Sequence, residues 1–282
     1  MSIRTDLAIE LKAEKNGQEE GIIKREKTEE NVTVTEIEIT TEKGEKTLGK
    51  PKGKYITVQF DELLKIPDYE PVEKAVLNAL KSLLPNGVES ILAVGLGNRE
   101  ITCDSIGPNT AERLLATRHI AGDFAEKIGL KGLKSVAVTV PNVMGKTGIE
   151  ATETVASIVE KIKPSAVIVI DALAAGSVTR LFRTIQLCNT GISPGSGVKN
   201  SRKELSEKSL GVPVIAVGVP TAVDALNLSY ELCGTEPKMC VDMVVAPKDS
   251  DILSHKICEI LSSALNQFLQ PDLSPEILAQ LV

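Results

Sequence analysis

Two aspartates stand apart from the other acidic residues of this chain. Asp104 falls in Gly97-Asn-Arg-Glu-Ile-Thr-Cys-Asp104-Ser-Ile-Gly107-Pro, a predicted loop beyond the carboxyl end of the strand Ile91 to Val94, and Asp171 directly follows the apolar strand Ala166 to Ile170. In open α/β sheets ligands gather at that edge, where loops from different strands converge. Two carboxylates held together there cannot both stay ionised cheaply, so one is driven toward the role of acid and the other toward that of base. Such a pair can take a proton from a water attacking an amide carbonyl, give one to the carbonyl oxygen and later pass one to the leaving nitrogen, without a metal or a covalent nucleophile. Aspartate also caps helices and fixes turns, and on spacing alone that commoner role is preferred for both residues.

Other chemistries fit the sequence poorly. Gly95-Leu-Gly97-Asn-Arg-Glu100 opens like a dinucleotide fingerprint, but a carboxylate takes the place of the third glycine and would face the pyrophosphate. Met144-Gly-Lys-Thr147 ends like a phosphate-binding loop, yet Val140 stands where its leading glycine belongs. In Gly191-Ile-Ser193-Pro-Gly195 the residue after the serine is Pro194, which has no N–H to donate to an oxyanion. The 2 histidines, His119 and His255, fall in predicted helices and are expected in packing or surface roles. Among 5 cysteines no pair has the Cys-x-x-Cys spacing of a zinc or redox site, so free thiols are expected. Cys103, beside Asp104, is expected to be a passive neighbour.

The elements that must position the two aspartates follow from periodicity. From Glu70 onward helical segments alternate with short apolar strands. The strands are Ser90 to Val94, Ser135 to Val140, Ala166 to Ile170, Thr184 to Leu187, Val212 to Val217 and Met243 to Val245. Helices are expected over Pro71 to Leu84, Asn109 to Ile128, Gly148 to Lys163, Thr221 to Leu232 and Ser250 to Phe268. Strands apolar on both faces need helices on both sides, which predicts an α/β fold, a three-layer α/β/α sandwich around a mainly parallel sheet. Upstream, Val32 to Ile39 and Tyr55 to Phe60 alternate β-branched and polar residues, which predicts a hairpin added to the edge of that sheet. Lys12 to Glu30, rich in Lys, Glu, Gln and Gly, is expected to be a solvated arm. The expected organisation is a single domain over 1–282, made of an arm (1–30), a hairpin addition (31–65) and an α/β core (66–282).

Composition narrows the partners. With 282 residues and 42% hydrophobic content the chain can bury a sizeable core. Its formal charge of −6 supplies no field for nucleic acid, and 2% aromatic content provides no stacking platform. The start, MSIRTDLAIE, carries charges where a signal peptide needs an apolar stretch, and the apolar runs are too short to span a membrane. A cytoplasmic location, with no membrane and no nucleic-acid partner, is expected.

Taken in order, Arg4-Thr-Asp-Leu-Ala8, GLGNREITCDSIGP (Gly95 to Pro108), the VPNVMGKTGIEATE stretch from Val140, IDALAAGSV from Ile170, TIQLCNTGISPGSGV (Thr184 to Val198), GVPTAVDA (Gly218 to Ala225) and a VVAPKDSD stretch resemble the germination protease family nearly end to end. That resemblance implies an atypical aspartic endopeptidase with a hydrolase-like α/β fold unlike pepsin, which initiates degradation of small acid-soluble spore proteins in the spore core. It also implies a homotetramer and no cofactor. The family's two essential aspartates match Asp104 and Asp171. A more distant similarity links Gly95 to Asp104 with hydrogenase-maturation peptidases. This keeps a metal-assisted peptidase as an alternative, although no histidine stands in the candidate loops for a nickel-type site; an inactive substrate-binding homologue is the other.

The chain departs from the family pattern at Cys103, where proline is common, and at Asn189 and Ser193, where Asp and His are usual in the DTGIHPGSG block. The family is normally a zymogen, yet only Met1 to Ile3 precede the RTDLA block. Either control differs here or the chain begins near the processed end. Substrate recognition is expected, by the resemblance, to involve an acidic residue ahead of the cut. Lys146 and Arg180 are candidate cations for it, with Arg183 and Lys199 as further possibilities. Asn98 and the glycine-rich Gly195, Ser196 and Gly197 are further substrate-contacting candidates.

Overall fold

A computed structural model describes residues 4–11, 20–85, 87–120, 127, 132–193, 203–234 and 242–281. The strands are β1 (Ile22–Glu29), β2 (Val32–Ile39), β3 (Gly53–Gln59), β4 (Ser90–Gly95), β5 (Ser135–Thr139), β6 (Ala166–Ala175), β7 (Thr184–Cys188), β8 (Val214–Asp224) and β9 (Val244–Val245). The helices are α1 (Glu42–Leu48), α2 (Glu70–Leu83), α3 (Ile106–Ala111), α4 (Met144–Thr147), α5 (Ala151–Ile162), α6 (Glu207–Leu210), α7 (Ala225–Cys233), α8 (Ser250–Leu269) and α9 (Pro275–Leu281). One sheet runs in the order β1-β2-β3-β7-β8-β6-β4-β5, with β9 paired to β8.

The core strands are parallel, as their apolar runs predict: β4 pairs in parallel with β5 and β6, and β6 with β8. From β8 outward the sheet turns antiparallel through β7, β3, β2 and β1. The expected hairpin forms between β2 and β3, though its connection carries α1, which Thr41 caps by accepting the Gly44 N–H. Helices cover both faces of the parallel part. On β4, Ile91 and Ala93 pack into the cluster that includes α2 and α8, while Leu92 and Val94 pack into the cluster that includes α5. The period of two therefore splits one strand between two cores.

Four expectations change. The segment Lys12 to Glu30 is not all solvated arm, because Ile22–Glu29 pairs with β2 along its whole length; it is an exposed charged strand whose backbone finds a partner despite its composition. Of the helix expected over Asn109 to Ile128, the described residues show the end of α3 at Ala111, turns and bends through Ile120, and a helical Lys127; residues 121–126 and 128 lie outside the described residues. The helix expected from Thr221 starts at Ala225, with Asp224 accepting the Leu226 N–H, because β8 continues through Thr221 to Asp224. Finally, the strand expected to end at Ile170 runs on to Ala175, since the lengthened β8 gives it a partner that far.

Among the described residues, no helix is long and apolar enough to cross a membrane.

Candidate active site

β4 pairs with β6 only as far as Gly95 opposite Ile170, and then leaves the sheet. Asp171 is the next residue of β6, at the point where that neighbour is lost. It lies inside a strand rather than at the end of one, and is 5% exposed. Its Oδ1 accepts the Ala172 N–H at 2.9 Å. On the other side of β6 it stands in register with Gly218 of β8.

The chain that leaves β4 folds back on itself to present Asp104. The Asn98 N–H donates both to the Asp104 carbonyl at 3.0 Å and to its Oδ2 at 2.9 Å, while the Asp104 N–H donates to the Ile101 carbonyl at 2.8 Å. Gly97 makes this closure possible. Its φ is +114°, and a Cβ there would collide with the Asp104 carbonyl oxygen. Gly107 allows the loop to press onto the sheet, because a Cβ there would meet the carbonyl oxygens of Leu96 and Ile170.

Asp104 and Asp171 line a single cavity of about 720 Å³ at the carboxyl rim of β4, β6 and β8. Its wall also holds Asp6, Lys50, Gln186, Thr221, Glu204 and Asp242. The N-terminal segment forms part of that wall. The Asp6 N–H donates to the Ala174 carbonyl and its Oδ2 accepts the Ala174 N–H, each at 2.9 Å. Gln186 donates to the Asp6 carbonyl and accepts the Ala8 N–H, and Lys50 donates to the same Asp6 carbonyl. Arg4 pairs with Asp224 at 2.7 Å. Tyr55, also in the wall, donates to the Pro51 carbonyl, and burial pushes its phenol well above the ordinary range.

The remaining predicted positions separate. Asn98 is buried, its amide oxygen accepts the Glu100 N–H at 3.1 Å, and it is not part of the cavity wall. Lys146 is ion-paired with Glu100. Arg180 ends a 3₁₀ turn, Val178–Arg180, and Arg183 pairs with Glu62 at 2.9 Å. None of these cations lines the cavity, whereas Lys50 does. Gly195, Ser196 and Gly197, with Lys199, lie outside the described residues. Lys50 and Asp6 bring no local pattern that marks a site. Asp6 was visible only as part of the RTDLA block.

Two of the three departures from the family pattern lie here. Cys103 and Ser193 line the cavity. Burial, and then the neighbouring Asp104 charge, pushes the Cys103 thiol up, so it stays protonated at neutral pH. Asn189 accepts the Lys54 N–H at 2.8 Å, joining the ends of β7 and β3. Among the described residues no group of three or more His, Cys, Asp or Glu is placed to hold a metal ion.

The fold and cavity define an α/β protein with a pocket lined by two aspartates where β4 leaves its parallel sheet. The family model described as germination protease matches residues 3–233. A germination protease of Caldanaerobacter subterraneus subsp. tengcongensis is 37% identical over 320 aligned positions, covering 100% of this chain and 98% of the relative. One of Clostridium tetani is 38% identical, covering 98% of each. The chain belongs to the germination protease family, a family of peptidases. A solved [NiFe] hydrogenase maturation protease from Thermococcus kodakarensis KOD1 matches at 18% identity and a TM-score of 0.36, over 65% of this chain and 98% of its own.

Proposed function

We propose that this chain is an aspartic-type endopeptidase that initiates breakdown of small acid-soluble spore proteins during germination, with Asp104 and Asp171 as its acid–base pair. The observation that carries this reading is that two carboxylates from separate parts of the sequence line one cavity at the rim of the parallel strands. One aspartate, ionised, removes a proton from water as its oxygen bonds to the scissile carbonyl carbon. The other, protonated, donates to the carbonyl oxygen. Collapse of the tetrahedral species breaks the C–N bond, and the proton taken from water passes to the leaving nitrogen. The cavity volume of about 720 Å³ suits a few residues of extended peptide.

Family membership supports a protein substrate; action in the spore core, assembly as a homotetramer and synthesis as a zymogen are further parts of the proposal that rest on the resemblance alone. Lys50 replaces Lys146 and Arg180 as the cation best placed to meet an acidic substrate side chain, because it alone of the three lines the cavity. The test is incubation of the purified protein with a small acid-soluble spore protein. Defined fragments are expected from the wild type and none from Asp104→Asn or Asp171→Asn; unchanged turnover in either variant overturns the mechanism.

A further inference from the structure

We propose that Thr221 is a positioning residue for Asp104, an inference that rests on the two-aspartate reading above. In the β6–β8 register Leu173 faces Pro220 and Ala174 faces Ala222, so Thr221 is an extra residue with no partner across the ladder. A bulge of this kind bends a strand and re-aims a side chain, and bulges concentrate next to active sites. Here the re-aimed group is a hydroxyl. Thr221 is 1% exposed, lines the cavity, and its Oγ1 donates at 2.6 Å to the carbonyl of Cys103, the peptide group that leads directly into Asp104.

The Asp104 loop otherwise closes largely through its own backbone. The pairs Asn98–Asp104, Ile101–Asn98, Asp104–Ile101 and Ser105–Thr102 all lie within it. Where the loop leaves β4 the Leu96 N–H donates to the Ile170 carbonyl at 2.8 Å, and Ser254 Oγ of α8 donates to the Thr102 carbonyl at 3.5 Å, but neither bond is to the peptide group next to Asp104. The Thr221 bond adds an anchor at the Asp104 end of the loop, from β8, the strand to which β6, and hence Asp171, is paired. Thr221 thus couples the two acids through one strand: the ladder sets Asp171, and the bulge hydroxyl sets Asp104. A buried carbonyl stripped of its donor carries a desolvation cost that the loop relieves by moving, and small displacements of reacting groups are expensive in rate.

The test is a steady-state comparison of Thr221→Val, Thr221→Ser and Asp104→Asn on a spore-protein substrate, with melting temperatures and pH profiles. Thr221→Val keeps the shape and removes the hydroxyl, and is expected to lower kcat about tenfold or more with KM little changed. It is also expected to shift the acid limb of the kcat profile. Thr221→Ser restores the donor and is expected to recover activity to within about threefold. If Thr221→Val does not fold, the pair Thr221→Ala and Thr221→Ser gives the same contrast. Wild-type kcat and pH limbs in Thr221→Val beside an inactive Asp104→Asn overturn the positioning role and leave the two-aspartate reading standing. Equal loss in the Ser and Val variants also overturns it, because the hydroxyl is then not what acts. Activity in Asp104→Asn overturns both.

Discussion

The two halves of the sheet treat charge in opposite ways. β8, at the centre, is buried at every one of its 11 residues, and β6 is buried at all but one of 10, Asp171 included. In the outer antiparallel half, β1 is exposed along nearly its whole length, and β2 alternates so that Glu36 and Glu38 meet Arg25 and Lys54 near solvent. Where helices cover both faces, no position is free to hold a solvated charge, so a carboxylate there needs a specific reason. Where one face meets water, charges fill it without further consequence.

The sharpest way to break this contrast is to neutralise acids in both halves. Asp171→Asn and Asp104→Asn are expected to lower cleavage at least about a hundredfold while the protein remains folded by circular dichroism. Glu36→Gln and Glu38→Gln are expected to leave turnover at the wild-type level. A next effect falls on the loop closure. Gly107→Ala drives a methyl into two backbone carbonyls and is expected to destabilise by about 3 kcal/mol or more in denaturant titration, with loss of activity. Gly49→Ala has open space around it and suffers only its φ of +63°, for about 1 kcal/mol.

Core packing in the outer half gives the third. Ile37, 7% exposed, packs in the cluster with Ile39, Leu48 and Tyr55; Ile37→Ala is expected to cost about 2–4 kcal/mol with kcat per folded molecule retained. The Cys103 thiol tests the charge on Asp104. Its raised pKa keeps it protonated at neutral pH, so alkylation, followed by mass spectrometry, is expected to be slow there and to accelerate only above the usual thiol range. Asp104→Asn removes one of the causes, lowers the thiol pKa and speeds alkylation at a given pH; an unchanged rate would show Asp104 uncharged. The smallest effect belongs to the exposed ladder: Arg25→Ala is expected to change stability by less than about 0.5 kcal/mol.

Much of the parallel half was legible because strands buried on both faces leave continuous apolar runs. Ser90 to Val94 and Ala166 to Ile170 announce themselves, and the helices with a single apolar stripe, α2, α5 and α8, lie within a few residues of their expected bounds. β1 was not legible, since Lys24, Arg25, Glu26 and Lys27 give no apolar period; its strand state comes from backbone pairing with β2. The run from Thr221 to Asp224 has no sequence signal that separates it from the helix that follows, and pairing with β6 and β9 on its flanks holds it extended.

By itself, then, the order of residues determined which segments bury apolar surface, which loops leave the carboxyl ends of strands, and that Asp104 and Asp171 are unusual in following such runs. Tertiary structure alone decided that both acids line one cavity, that Asp6 and Lys50 join them, and that Lys146 and Arg180 do not. The physical reason is that periodicity records the local choice between core and solvent. Convergence at a rim depends on strand order, on where a neighbour such as β4 leaves the sheet, and on one unpaired residue in β8, none of which leaves a periodic trace.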